Sequence, residues 1–207
     1  MYAIVENNNI TQYVNNPKSV VIGDVRYPAK IFSLWSQSEL NAIGIYEVIT
    51  DSTNYKDPGY YINTNSSYNF ADGQVTESWG AATAKKLEDE NATYENGDPV
   101  LDDDGNQVVN YGLKTQKKKI IKDQASALLA PTDWYVVKAT EVADYSVPAN
   151  ITTFRADVRA KSNEMETQID ACTTVEQLET LYTYVNTGTE ENPVIERPLA
   201  EFPKEVV

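Results

Sequence analysis

Short stretches of alternating hydrophobic and polar residues run through the first half of the chain, a pattern typical of β-strands. Tyr2–Val5 and Ile10–Val14 lie on either side of Asn7-Asn8-Asn9, and asparagine tolerates the positive φ of a tight turn. The pattern therefore predicts a β-hairpin. It also predicts two further short strands, Ser19–Ile22 and Val25–Tyr27.

The hydrophobic period changes at Ser36-Gln37-Ser38-Glu39. Here the Ser36 hydroxyl can accept a hydrogen bond from the Glu39 amide, while the Glu39 carboxylate accepts one from the Ser36 amide. This reciprocal arrangement is a capping box, and Gly44 is a suitable helix terminator. We therefore expect a short helix followed by a strand at Ile45–Ile49, and we treat residues 1–50 as an N-terminal β-hairpin and short-helix region.

Residues 51–110 are predicted to be a strand and turn insert. Turn residues precede each of three short runs of strand formers, namely Tyr60–Ile62, Tyr68–Phe70 and Gln74–Thr76. The clearest hairpin places Pro99–Leu101 and Gln107–Val109 around Asp102–Asn106. Residues 81–92 are either a short solvated helix or a linker.

Hydrophobic residues recur at helical spacing in residues 111–187, which we predict to be a C-terminal helical module. The first helix should end before Pro131, the second should begin at Pro148 or Asn150, and a short third should start at Thr173 or Thr174. The first stripe at helical spacing comprises Leu113, Lys117, Ile120, Ile121, Gln124, Ala125, Leu128 and Leu129, with a lysine-rich opposite side. The second comprises Ile151, Phe154, Val158, Met165, Ile169 and Cys172.

A proline interrupts this module within the sequence LLAPTDW, residues 128–134. Thr132 is a favourable N-cap, and Asp133 lies in the first turn of a new helix, where negative charge meets the positive helix end. We expect Trp134 and Val137, with Val136 as a further candidate, to face inward against Leu128 and Leu129, so that the indole holds the corner between two helices. The predicted structural corner comprises Leu128, Leu129, Pro131, Thr132, Asp133 and Trp134.

Residues 188–207 are predicted to be an extended tail, because three prolines follow Gly188. Such a tail is either an arm lying on another surface or disordered. Together these patterns predict an α+β protein with a strand-rich N-terminal half containing one short helix, a helical C-terminal module and an extended C-terminal tail.

The formal net charge of -14 narrows the range of partners, because an acidic surface repels nucleic-acid phosphates and anionic membranes. We expect no nucleic acid and no membrane insertion, since no run approaches the length of a membrane helix and the first residues do not resemble a secretion signal. One basic cluster lies on the first predicted helix. We interpret it as a solvated or acid-facing side, with pairing to the acidic region as a further alternative; it comprises Lys114, Lys117, Lys118, Lys119 and Lys122.

The absence of histidine removes the usual general base and the commonest metal ligand. Asp102–Asn106 resembles the start of a calcium loop, but alignment on Gly105 puts Val100 and Tyr111 at ligand positions. Cys172 lies on a hydrophobic stripe, where a thiolate is disfavoured. We therefore expect no enzymatic activity, no catalytic or metal-binding residues, no cofactor and no small-molecule substrate.

Fourteen tyrosines favour protein contacts, because tyrosine offers a large apolar area with a polar tip. We expect Trp35 and Trp134 to be core residues and Trp79 to be a contact residue. The predicted interface residues are Trp79, Tyr60, Tyr61, Tyr68 and Phe70.

Two segments resemble small tail-associated and tail-fibre proteins of tailed bacteriophages. In residues 113–185, a lysine-bearing helix leads to the LLAPTDW corner, an arginine-containing helix and a short last helix. Residues 20–48 are VVIGDVRYPAKIFSLWSQSELNAIGIYEV, with similar Tyr-Pro, Leu-Trp, Ser-x-x-Glu-Leu and Ile-Gly-Ile-Tyr elements. The resemblance implies a phage protein that is built into the tail or needed to assemble it, with no catalytic residues.

We therefore expect a structural tail component, meaning an adaptor, baseplate or fibre-attachment protein, located in the virion and in the host cytoplasm during assembly. Its expected partners are other tail proteins and further copies of itself, because virion assemblies are symmetric. One alternative is a tail-fibre assembly chaperone that is absent from the mature virion. Another is a carboxylate-based hydrolase of host glycans.

Overall fold

The chain is an α+β protein, and the computed structural model describes residues 1–204. It divides into two compact units, Met1–Thr83 and a second that begins at Ala84. This division differs from the predicted boundaries near residues 50 and 110. The reason is that strands on both sides of residue 50 belong to one sheet.

The first unit combines strands with two short helices. In chain order they are β1 (Tyr2–Glu6), β2 (Asn9–Val14), β3 (Val20–Ile22), β4 (Val25–Tyr27), α1 (Ile31–Leu34), α2 (Gln37–Ala42), β5 (Ile45–Asp51), β6 (Tyr61–Ile62), β7 (Ser66–Ala71), β8 (Gln74–Trp79) and, where the unit ends, β9 (Thr83–Ala84). The one-turn helix α1 was not predicted from the sequence. The main sheet has the order β2-β1-β5-β8-β7, with β5 and β8 parallel and the other neighbours antiparallel.

Local signals predicted the turns of this unit correctly. Asn7 and Asn8 have φ of 50° and 63° in the β1–β2 turn. The capping box of α2 is present, because Ser36 and Glu39 exchange side-chain and backbone hydrogen bonds. Gly44 has φ of 86°, and a Cβ there would lie 2.6 Å from the Val5 carbonyl oxygen. Only glycine therefore fits where the chain leaves α2 and enters β5.

Alternation along the strands gives the main sheet two apolar faces. One face packs against α1, α2 and the β3–β4 hairpin through a cluster that comprises Ile4, Val14, Val20, Ile31, Phe32, Leu40 and Ile45. The other face carries Ala3, Val5 and Val75, with Tyr46 and Phe70 packed beside them. The outer strands β2 and β7 approach each other, since the rings of Tyr13 and Tyr68 are 4.8 Å apart. The sheet therefore curls around its second face.

The second unit is mostly helical. Its elements are β10 (Glu90–Asn91), β11 (Val109–Asn110), α3 (Leu113–Leu129), a 3₁₀ turn (Ala130–Thr132), α4 (Asp133–Glu141), α5 (Ala149–Ala171), α6 (Val175–Tyr182), β12 (Val185–Asn186) and β13 (Ile195–Glu196). Residues 81–92 contain short strands, so the helix considered for this stretch is wrong.

The predicted hairpin around Asp102–Asn106 is present and precedes α3. The Asp102 carboxylate closes its turn by accepting the backbone N–H groups of Asp104 and Asn106. At the start of α3, the Asp89 carboxylate accepts the Gly112 amide at 2.8 Å and the Thr115 hydroxyl at 3.0 Å. The first bond satisfies a backbone N–H that a helix N-terminus otherwise leaves without a partner, and the Asp89 carboxylate places a negative charge at the positive end of the helix.

The core of this unit lies between α3 and α5. All six predicted hydrophobic positions of the second stripe are buried. On α3 the buried residues are Leu113, Ile121 and Ala125, whereas Ile120 is 48% exposed, contrary to prediction. The cap of α6 is Thr174, whose hydroxyl accepts the Gln177 amide.

The C-terminal segment packs on the helices of its own unit up to residue 204. Leu199 is buried, its amide donates to the Leu181 carbonyl, and Phe202 packs on the cluster formed by Ala125, Phe154 and Val158. Gln168 holds the segment further through its two amide atoms. Residues 185–196 form the exposed β12–β13 hairpin, and the residues after it lie on this chain, which corrects the expectation of an arm on another surface or a disordered tail; residues 205–207 lie outside the described residues.

Candidate protein-interaction surface

A buried arginine holds the corner between α3 and α4. The Arg155 side chain of α5 donates to the Leu129 carbonyl at 3.0 Å and to the Thr132 hydroxyl at 2.6 Å. Its other terminal nitrogen lies 2.8 Å from an Asp133 carboxylate oxygen. One guanidinium thus satisfies a carbonyl at the end of α3 and ties down the first residue of α4.

Two predicted roles within the corner are wrong. Thr132 precedes α4, but its hydroxyl makes no capping bond and instead donates to the Leu129 carbonyl at 2.7 Å. Trp134 does not face inward, because it is 51% exposed, and Val136 and Val137, expected inward beside it, are 43% and 53% exposed. The other corner residues behave as expected. Pro131 lies in the 3₁₀ turn that follows α3, Asp133 lies in the first turn of α4, and Leu128 and Leu129 pack beside Phe154.

Helix α4 presents hydrophobic side chains to solvent along its length. None of its nine residues is buried. Trp134 and Val137 are both more than half exposed, and Val136 and Val142 are close to half exposed. Arg155 holds the first residue of this helix through Asp133, while the four apolar side chains named above remain about half exposed. We define Trp134, Val136, Val137 and Val142 as the α4 surface, an apolar patch typical of protein contacts.

A groove of about 340 Å³ separates α4 from α5 beside this surface. Val136, Val147 and Ala156 supply apolar walls, Thr152 supplies a hydroxyl, and Arg155 and Arg159 supply guanidinium groups. No lining residue is acidic. Lys138 lies 5.7 Å from the Trp134 ring centroid and 4.4 Å from that of Tyr145, so a cation also stacks on the aromatic residues of the exposed side.

The contact residues predicted in the first unit fall into two groups. Tyr60 and Tyr61 are 6% and 2% exposed, so they are core residues and are not available on the surface of this unit. Tyr68, Phe70 and Trp79 are half-buried. Their rings lie against neighbours on the same unit, with Tyr68 packed on Tyr13, Phe70 on Tyr46 and Trp79 on Tyr55. These contacts reduce the area that Tyr68, Phe70 and Trp79 offer to a partner.

Trp35 is likewise at the surface, contrary to the expectation of a core position. It is 36% exposed and lies edge-on to Tyr27 at 6.0 Å. The preceding residue, Leu34, is 74% exposed. Trp35 is not buried because Phe32 and Leu40 occupy the inward-facing positions of α1 and α2.

The lysines of α3 are mostly engaged in ion pairs within the second unit. Lys114 pairs with Glu88, which agrees with the alternative of pairing to the acidic region. Three other lysines pair with carboxylates on helices. Those pairs are Lys118 with Asp170, Lys119 with Asp123 and Lys122 with Glu166. Lys117 lies over the Tyr182 ring. This face of α3 is therefore largely neutralised by the chain itself.

Hydrogen bonds lower the pKa of several carboxyl groups. The Ser36 amide lowers the pKa of Glu39, the Tyr68 hydroxyl that of Glu77, and the Asn106 amide that of Asp102. The general acid of a glycosidase needs a raised pKa, so these three carboxyl groups are unsuited to that role. Burial raises the pKa of the Cys172 thiol, which fits its place in the core.

Within residues 1–204, acidic and cysteine side chains do not cluster in threes in a way that could hold a metal ion. Among the described helices, none combines the length and apolar character needed to cross a membrane. Comparisons with protein-family models, curated proteins and solved structures found no match to this chain.

The residues that build this surface were largely missed from the sequence. Arg155 follows Phe154 on the buried stripe of α5, so an arginine next to core positions was the signal that a buried cation would be needed. Val136 and Val137 were expected to face inward, because a valine in a short helix is compatible with either face, and Val147, which lies between α4 and α5, was not singled out.

Proposed function

We propose that this chain is a structural component of a bacteriophage tail that acts through protein–protein contacts, as an adaptor, baseplate or fibre-attachment protein. The observation that carries the proposal is α4, a helix without a buried residue that exposes Trp134 and Val137. A rigidly held apolar helix on an otherwise acidic chain suits attachment to another protein. The resemblance of residues 20–48 and 113–185 to tail-associated phage proteins supplies the biological setting.

The corner supports this proposal physically. An exposed helix that is free to move would lose conformational entropy on binding, and a fixed one loses less. Arg155 contacts Leu129 and Thr132 just before α4 and Asp133 at its first residue, so it fixes the start of the helix. The α4 surface is thus presented in advance of binding. The proposed partners are other tail proteins, and several copies per virion are expected from its symmetry.

Mass spectrometry of purified virions tests the proposal. A structural component is present in amounts stoichiometric with known tail proteins. Presence in infected-cell extracts combined with absence from virions would instead identify an assembly chaperone that holds a tail-fibre protein and leaves. Release of reducing sugar from host envelope polysaccharide by the purified chain would support the hydrolase and count against both.

A matched pair of variants connects the function to α4. Val137→Glu puts a charge on the α4 surface, and Val21→Glu puts the same charge on a valine of similar exposure in the first unit, 53% against 55%. We expect Val137→Glu to reduce incorporation into virions at least about tenfold, because a buried unpaired carboxylate opposes docking. Val21→Glu should be incorporated normally. Equal incorporation of both variants would remove α4 from the proposal.

A further inference from the structure

The groove between α4 and α5 is lined by a combination of groups that selects a particular occupant. Its volume of about 340 Å³ lies near the lower end of the range for ligand pockets, so it suits one or two side chains better than a cofactor. Val136, Val147 and Ala156 offer apolar contact. Thr152 and the two arginines offer hydrogen-bond donors.

The charge of the groove is unusual for this chain. Six basic residues of the helices pair with carboxylates, namely Lys114, Lys118, Lys119, Lys122, Arg155 and Lys161. Arg159 differs. Within residues 1–204 it has no ion pair, and its guanidinium donates a hydrogen bond to the Arg155 carbonyl of its own helix at 3.2 Å.

The sequence of α5 explains why Arg159 keeps its charge available. Ion pairs within a helix form between residues three or four positions apart. At those distances from Arg159 the chain has Arg155, Ala156, Ser162 and Asn163, none of which is acidic. Asp133, at the start of α4, is already held by Arg155 at 2.8 Å. A chain of net charge -14 thus places in this groove a guanidinium for which residues 1–204 supply no carboxylate partner.

We infer that this groove binds a segment of a partner protein that presents an apolar side chain next to a carboxylate. The apolar side chain packs between Val136 and Val147, and the carboxylate accepts hydrogen bonds from Arg159, whose planar guanidinium suits two-point recognition of a carboxylate. A nucleic acid fits less well, because the walls are aliphatic and the chain as a whole repels phosphate. The inference rests on the proposed function for its source of partner, which is another tail protein.

N-acetyl-leucine is a suitable probe, because it joins a leucine side chain to a carboxylate. Its neutral match is N-acetyl-leucinamide, which keeps the side chain and lacks the charge. Titration of the isotope-labelled full chain, followed by NMR of the valine methyl groups, should give saturable shifts at Val136 and Val147 for the carboxylate. The amide should bind about tenfold more weakly, since it loses the charged hydrogen bonds.

Two variants of α5 complete the test. Arg159→Gln should weaken N-acetyl-leucine binding about tenfold and leave the amide unaffected. Lys161→Gln alters a basic residue two positions away, outside the groove lining, and should change neither. Both side chains are on the surface, and unchanged circular dichroism would confirm that both variants fold.

Equal binding of the acid and the amide, no saturable shift at the two valines, or full binding by Arg159→Gln would overturn the inference. Inorganic phosphate that competes as well as N-acetyl-leucine would also overturn it, because it would show a general anion site. These outcomes are independent of virion composition, so the groove can fail while the structural role stands, and the reverse.

Discussion

Replacing Arg155 by alanine is expected to lower the free energy of unfolding of the second unit by about 3 kcal/mol. The guanidinium is buried and makes two hydrogen bonds, at 3.0 Å to the Leu129 carbonyl and 2.6 Å to the Thr132 hydroxyl. A hydrogen bond to a charged group contributes about 1.5–3 kcal/mol. The pair with Asp133 adds about 1 kcal/mol at most, because the Asp133 side chain is 60% exposed and is well solvated without its partner.

The expected loss of about 3 kcal/mol lies at the lower end of the summed contributions of the two hydrogen bonds and the ion pair. After the substitution, the Thr132 hydroxyl still donates to the Leu129 carbonyl at 2.7 Å, so that acceptor keeps one partner. A double-mutant cycle with Thr132→Val isolates the bond between the two side chains. We expect a coupling free energy of about 1–2 kcal/mol.

Trp134→Ala provides the decisive comparison. An indole buried in the corner would cost about 3–5 kcal/mol on truncation. Because Trp134 is 51% exposed, we expect a loss of only about 1 kcal/mol. Lys161→Ala, which breaks an exposed pair with Glu164, is the surface control and should change stability by about 0.5 kcal/mol or less.

Urea unfolding followed by far-ultraviolet circular dichroism measures these differences, because the long helices α3 and α5 belong to the second unit. A loss below about 1 kcal/mol for Arg155→Ala, together with a loss above about 3 kcal/mol for Trp134→Ala, would refute the arginine lock. That pair of results would restore the indole as the residue that holds the corner.

Three further predictions concern other parts of the fold. Gly44→Ala should destabilise the first unit by about 2–3 kcal/mol, because φ at this position is 86° and the new Cβ would meet the Val5 carbonyl, whereas Gly23→Ala, with φ of 56° and open space around it, should cost about 1 kcal/mol. Both losses can be measured by urea unfolding followed by Trp35 and Trp79 fluorescence in a Trp134→Phe background. Equal losses would contradict the steric argument. Leu199→Ala should lower the free energy of unfolding, measured by circular dichroism, by about 2–4 kcal/mol because Leu199 is fully buried, whereas Val194→Ala, at a side chain 46% exposed, should lower it by less than about 1 kcal/mol. No loss for Leu199→Ala would mean that packing of Leu199 does not stabilise the unit. The hydrogen bond from the Tyr68 hydroxyl lowers the pKa of Glu77 below its ordinary value of 4.5, so this bond stabilises the fold above pH 4.5 and the stabilisation is lost as the pH falls through the lowered pKa. The unmodified chain should therefore be more stable than Tyr68→Phe at neutral pH, and this difference should shrink in acid. A difference that stays constant with pH would exclude the linkage.

Prediction from the sequence succeeded where the signal was local. The capping box at Ser36, the asparagine turn at Asn7 and Asn8, and the end of α3 before Pro131 depend on residues within a few positions of one another. The α5 stripe was equally clear, because a long helix repeats its hydrophobic period many times. Division into units was harder, since the parallel pairing of β5 with β8 joins segments far apart in the chain.

Local sequence patterns did not predict most of the candidate interaction surface. Trp134 and Val137 are strongly apolar, so their hydrophobicity favoured the core, yet each is about half exposed within residues 1–204. Tyr60 and Tyr61 gave the opposite error, because a tyrosine pair after a turn is as compatible with a contact surface as with a core.

By itself the sequence determined the order and type of most elements, the residues that share each helical face, and the acidic character that disfavours nucleic acid. The tertiary structure alone decided which face found a partner. Periodicity places side chains on a common side of a helix, but burial depends on residues brought from elsewhere in the chain. For α4 that neighbour is Arg155, whose bonds satisfy the backbone at the corner and leave the hydrophobic side chains of the helix exposed.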